Sequence, residues 1–218
     1  MRVLRFGLKP LIFLAALVPA ALLVRGAIQN DLGANPIEEI THQTGLWTLR
    51  FLMITLAVTP VRRITGWHAV IRLRRMLGLF GFFYACLHFL TYLVLDQFFA
   101  FDAIIADIAK RPFITMGFAG FVLLIPLAAT STAGMMRRLG RRWQRLHRVI
   151  YVAAFCGVLH YLWLVKADLR DPRVYSITLA LLLGVRVVGE LARHLSAPAS
   201  RSRLVAKSPR PANAGHYD

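Results

Sequence analysis

The stretch "RRMLGLFGFFYACLHFLTYLVLDQF", from Arg74 to Phe98, decides the fold. Between its two arginines and Asp96 it is almost wholly apolar, and at about 1.5 Å per helical residue it is long enough to cross a hydrocarbon core of about 30 Å. It reads as a membrane span. His88, near its middle, is an ionisable group in a setting where such groups are costly, and so it is a functional candidate from the outset.

The same composition recurs on both sides. Of 218 residues 57% are hydrophobic, and the charged ones fall in short intervals between apolar runs. Six segments qualify as spans, near 9 to 27, 46 to 61, 76 to 98, 112 to 131, 147 to 166 and 174 to 194, the second being the shortest. The expected fold is all-α: a six-span transmembrane helix bundle over residues 1–195, followed by a basic tail, 196–218. That tail is rich in Ser, Ala, Pro and Arg and has too little apolar surface to fold, so disorder is expected there. Pro60 is expected to close the second span and Pro112 to open the fourth. Cys86 and Cys156 fall inside spans, where a thiol behaves as a small hydrophobe, and no disulfide is expected. Arg2, Arg5 and Lys9 ahead of an apolar run also suit a cleavable signal, but that run is long for one and no clear Ala-x-Ala site follows it. No internal sequence repeat is evident.

A net charge of +17 would suggest nucleic acid in a soluble protein. Here its distribution carries more information than its sum. Arginines crowd the connections after the second and fourth spans (Arg62, Arg63, Arg72, Arg74, Arg75; Arg137, Arg138, Arg141, Arg142, Arg145) and both chain ends. The other connections carry Asp31, Glu38, Glu39, Asp96, Asp102, Asp107, Asp168 and Asp171. Basic and acidic loops alternate, so the positive-inside rule places both termini in the cytoplasm. The arginines are first a topology signal that meets anionic membrane lipid, and second a candidate surface for flavin phosphate. No nucleic-acid partner is implied. Arg50 and Arg148 are expected near helix ends, snorkelling to the interface.

Three histidines bear on chemistry: His88 in the third span, His147 and His160 in the fifth. His88 lies 13 residues beyond Arg75, and His160 lies 13 beyond His147, itself just past Arg145. Thirteen helical residues rise about 20 Å. The third and fifth spans run the same way, so His88 and His160 should reach one depth while His147 stays at the arginine-rich border. Two imidazoles at one level suit the axial positions of a haem iron. The plain alternative is that each histidine is hydrogen-bonded between helices. Zinc suits the site less, with no acidic or thiolate ligand beside it. On one straight helix His147 and His160 point about 140° apart. Either a bend near Gly157 or two differently placed cofactors is therefore required.

The runs "TGLWTLRFLMITLAVTPVRRITG", "RRMLGLFGFFYACLHFLTY", "KRPFITMGFAGFVLLIPLAATS" and "LGRRWQRLHRVIYVAAFCGVLHYLW" resemble MsrQ, the haem-binding membrane subunits of bacterial methionine sulfoxide reductase (MsrPQ) systems. The resemblance covers roughly residues 10 to 190. It implies membership of the ferric-reductase-like transmembrane group, six-helix b-type cytochromes of the bacterial inner membrane. It implies heme b and FMN as cofactors, with His88, His147 and His160 matching the family's haem ligands. It also implies electron flow from the quinone pool, or from a cytosolic flavin reductase, to a periplasmic molybdenum-dependent methionine sulfoxide reductase catalytic subunit that repairs oxidised methionine. The chain would then be an electron-transfer subunit rather than the catalytic one. Larger oxidases of the wider group carry a second histidine low on the third helix, where this chain reads Arg72, Leu73, Arg74, Arg75. One haem on His88 and His160 is therefore expected, with His147 a second or alternative ligand or part of an inner cofactor site.

No Gly-x-Gly occurs in the chain, so the fingerprint for a nicotinamide cofactor is absent. This disfavours a self-contained transmembrane ferric reductase, which usually carries a fused nucleotide domain. A cofactor-free transporter or assembly factor is the competing reading from another class, and it lacks the inverted repeats and interrupted helices expected of it.

Overall fold

A computed structural model describes residues 7–166 and 168–195. Helices make up nearly all of it, and no strand forms among the described residues: α1 Lys9–Gln29, α2 Pro36–Thr65, α3 Arg74–Leu90, α4 Phe101–Lys110, α5 Pro112–Ala129, α6 Ala133–Leu139, α7 Arg141–Leu146, α8 Ile150–Leu164 and α9 Arg170–Leu195. Six helical stretches are long and apolar enough to span a membrane: α1, α2, α3 with its continuation to Asp96, α5, α7 with α8, and α9 to Ala192. The chain is a multi-pass membrane protein. One compact unit ends at Leu182 and a second, holding the C-terminal half of α9, begins at Leu183. His88, His147 and His160 all belong to the first. The tail 196–218, expected to be disordered, lies outside the described residues.

The expected second span is corrected most. It is the longest helix among the described residues, 30 residues, and it starts ten residues ahead of the expected boundary. Its extra turns hold Glu38, Glu39, His42 and Gln43, which depress hydropathy but are compatible with a helix. The start signals are complete: Asn35 accepts from Glu38 N–H at 3.4 Å, Pro36 occupies the first turn, and Glu38 and Glu39 stand at the positive end of the helix dipole. Pro60 does not close it. The helix runs on to Thr65 and ends at Gly66, whose φ of 67° gives the left-handed cap. Proline inside a helix is tolerated at membrane depth because neighbouring helices satisfy the freed groups, and Pro19 and Pro126 are likewise internal, in α1 and α5.

Arg50 is accordingly not near a helix end. It lies mid-way along α2, half-buried, with its guanidinium 4.6 Å from the Trp47 ring centre and its Nε donating to Tyr175 Oη at 3.3 Å. A further element, α4, fills a connection read as loop. Tyr92 Oη donates to Asp107 at 3.3 Å, and Thr115 Oγ1 donates to Ile108 O at 2.5 Å, so α4 is tied to the spans on either side.

One buried aromatic cluster lies between α1, α2 and α3, and further buried residues such as Leu124, Ala154 and Val158 lie between α5 and α8. Tyr84 is fully buried, its ring stacked on Phe51 at 5.4 Å, and Phe51 stacks in turn on Phe80 at 5.6 Å. The Tyr84 hydroxyl enters α1 beside Pro19, donating to Ala16 O at 2.8 Å and accepting from Ala20 N–H at 3.2 Å. Outward-facing residues of α1 such as Leu11, Leu14, Leu22 and Ile28 are more than half exposed, an apolar belt that suits lipid and not water.

Candidate cofactor site between His88 and His160

His88 stands in the last turn of α3 and His160 in the second half of α8. Both helices bring their imidazoles to the acidic-loop end of the bundle, and the ring centres are 6.1 Å apart with planes inclined at 75°. A nitrogen ligand sits about 2.0–2.1 Å from a transition metal and about 1.1 Å from its own ring centre, so two imidazoles holding one metal between them would place their centres about 6.2–6.4 Å apart. The observed separation is within a few tenths of an ångström of that range.

Hydrogen bonding fixes the tautomers. His88 Nδ1 is 2.9 Å from Thr41 O, and His160 Nδ1 is 2.6 Å from Phe113 O. A carbonyl can only accept, so each Nδ1 carries the proton and each Nε2 keeps its lone pair. This is the outer-shell arrangement that orients a metal-bound histidine. Neither carbonyl belongs to a residue type that signals a site, and nothing in the sequence points to Thr41 or Phe113.

His147 is not brought to this pair. It opens a 3-10 turn, His147–Val149, between α7 and α8, at the arginine-rich end. That turn is where the fifth span departs from a straight helix; α8 continues through Gly157 without a break. The His147 ring stacks on Trp143 at 3.9 Å, and its Nε2 lies 3.1 Å from Thr130 Oγ1. The Thr130 hydroxyl already donates to Pro126 O at 2.6 Å, so it accepts from His147 and Nε2 carries the proton. His147 is thus in the tautomer opposite to that of the other two. Trp143 Nε1 donates to Thr130 O at 2.9 Å, completing a cap on the end of α5.

Among the described residues no three His, Cys, Asp or Glu side chains gather into a metal cage. The donor set is instead two neutral imidazoles with fixed outer partners, which fits an axial haem pair and does not fit a tetrahedral zinc.

A family model described as "Ferric reductase like transmembrane component" matches residues 44–158, a range that holds His88 and His147 and stops two residues short of His160. Among curated proteins, the chain is 56% identical over 183 residues to a protein of Herminiimonas arsenicoxydans named "Protein-methionine-sulfoxide reductase heme-binding subunit MsrQ", covering 83% of this chain and 84% of that one. The chain belongs to the MsrQ family. MsrQ proteins of Azospira oryzae and Rhodospirillum rubrum bear the same name at 55% and 53% identity, over 84% and 85% of this chain and 79% and 89% of theirs. No solved structure matches. The MsrQ membership agrees with the six-span, ferric-reductase-like architecture.

Proposed function

We propose that this protein is the b-type cytochrome subunit of a methionine sulfoxide reductase system in the bacterial inner membrane, with both termini in the cytoplasm. It would carry electrons from the quinone pool, or from a cytosolic flavin reductase, to a periplasmic molybdenum-dependent catalytic subunit that repairs oxidised protein methionine. The names of its relatives call them heme-binding subunits of a protein-methionine-sulfoxide reductase, which supports the coarser part of this reading. The single observation that carries it is the His88–His160 pair, 6.1 Å apart with both Nδ1 groups held by backbone carbonyls.

Bound heme b supplies one-electron chemistry. The chain's part is to hold and orient. His88 and His160 present their Nε2 lone pairs, while Thr41 O and Phe113 O stop either ring from turning its other nitrogen inward. The apolar spans exclude water from around the pair. To act as a second or alternative ligand through Nε2, His147 must first give up Thr130 and reverse its tautomer. FMN and quinone sites belong, on this reading, to the arginine-rich end, where planar guanidinium groups suit phosphate.

The test is reduction of the purified protein followed by optical absorption. Quinol, or a flavin reductase with its nicotinamide, should develop a low-spin b-type spectrum, and adding the oxidised catalytic subunit should discharge it. Protein purified in good yield without any haem absorption would overturn the reading in favour of a transporter or assembly factor.

A further inference from the structure

The two histidines are seated by one device used twice. The carbonyl that receives His88 belongs to a residue 47 positions upstream, and so does the one that receives His160. In each case a glycine follows that carbonyl residue by four positions, one helical turn on: Gly45 after Thr41, Gly117 after Phe113. Each glycine faces the same imidazole that its neighbour's carbonyl holds. A Cβ at Gly45 would stand 3.1 Å from His88 Cε1 and 3.2 Å from its Nδ1, and one at Gly117 would stand 2.8 Å from His160 Nδ1 and 3.0 Å from its Cε1. The helices concerned, α2 with α3 and α5 with α8, form the two most extensively packed pairs in the bundle.

We propose that Gly45 and Gly117 are positioning residues for the cofactor. Each opens one turn of its helix so that an imidazole can lie against the backbone and reach the carbonyl above. Together they set the near-perpendicular planes of the axial pair. This rests on reading His88 and His160 as the axial ligands.

Geometry decides what an added methyl group displaces. At Gly117 the crowded atoms all belong to the His160 ring, Nδ1 and Cε1 with Cγ at 3.1 Å, while the backbones of α5 and α8 are closely packed against each other. The ring moves and the helices stay. Movement breaks or lengthens the bond from Nδ1–H to Phe113 O, which is the bond that makes the imidazole a stronger ligand. At Gly45 the clash is milder and a few tenths of an ångström relieve it, so the effect is graded. Gly78 offers the contrast. It also sits between helices, but a Cβ there meets Thr55 Cγ2 at 3.6 Å, an ordinary contact away from either histidine.

The experiment is low-temperature electron paramagnetic resonance and redox titration of full-length, haem-loaded protein carrying Gly117→Ala, Gly45→Ala or Gly78→Ala. Near-perpendicular axial imidazoles give a highly anisotropic low-spin signal; rings turned toward parallel give a rhombic one. Gly117→Ala should move the signal toward rhombic and raise the midpoint potential, Gly45→Ala should do so less, and Gly78→Ala should match the unaltered protein. If Gly117→Ala cannot retain haem, Gly45→Ala decides by the same two readouts. Unaltered signal and potential in the glycine variants at both seats, or an equal change in Gly78→Ala, would overturn the proposal. His88→Ala and His160→Ala separate the two levels: if either keeps a full low-spin complement, the axial assignment itself fails, whereas loss in both with unmoved glycine variants sinks only the seats.

Discussion

His147 donates through Nε2 to the Thr130 hydroxyl at 3.1 Å, whereas His88 and His160 keep Nε2 free and donate through Nδ1. Three histidines of one sequence class are thereby divided by tautomer, and the division sets the first expectation. His147→Ala should leave a low-spin haem in place, while His88→Ala and His160→Ala should lose haem or convert it to high spin. Reduced absorption spectra of the three variants check this. Loss of the low-spin haem in His147→Ala with retention in His88→Ala would require the axial pair to be reassigned.

The Tyr84 hydroxyl is inserted in α1 between Ala16 O and Ala20 N–H, which are themselves one helical turn apart. On Tyr84→Phe those two groups can bond each other, so the loss should be near the net value of a hydrogen bond, about 1 kcal/mol. Phe51→Ala removes a 4% exposed ring stacked on both sides and should cost about 3–5 kcal/mol. Chemical unfolding in detergent should rank the two in that order; a larger loss for Tyr84→Phe would mean that α1 cannot close its own turn.

Topology is open to direct labelling. In a background with Cys86 and Cys156 replaced, single cysteines at Glu38, Asp102 and Asp168 should react with an impermeant maleimide added to intact cells, and those at Arg63, Arg141 and Ser200 should not. External reaction at Ser200 would remove the even number of crossings.

The chain has no Gly-x-Gly fingerprint, so a nicotinamide cofactor alone should leave the haem oxidised over the time in which quinol reduces it. Stopped-flow absorbance with each donor is the measurement. Rapid reduction by the nicotinamide alone would reveal a binding site that the sequence does not signal.

Six spans are legible in the sequence because their physical cause, uninterrupted apolar surface of membrane length, is written residue by residue. The N-terminal third of α2 is not, because Glu38, Glu39, His42 and Gln43 lower hydropathy while doing nothing to prevent a helix. Asn35 and Pro36 followed by two acids do mark its start, but they are helix signals and hydropathy does not register them. Pro60 is a related case, since a rule formed in water overstates what proline does among packed apolar helices. The candidate site is legible by depth alone: counting from the arginines brings His88 level with His160. The partners of those histidines are not, because a backbone carbonyl has no side-chain identity, and which carbonyl meets which ring depends on helix register. The matching separations of 47 residues emerge only once α2 is laid against α3 and α5 against α8.

That duplicated seating has a consequence for biogenesis. The first seat is complete once α3 is inserted, but the second needs α8, whose last turn ends at Leu164. A nascent chain halted anywhere before that point holds one ring in its final orientation with nothing opposite it. On the proposed assignment of His88 and His160 to one haem, both ligands are together only after the fifth span is inserted, so a chain truncated before Leu164 should purify without bound haem.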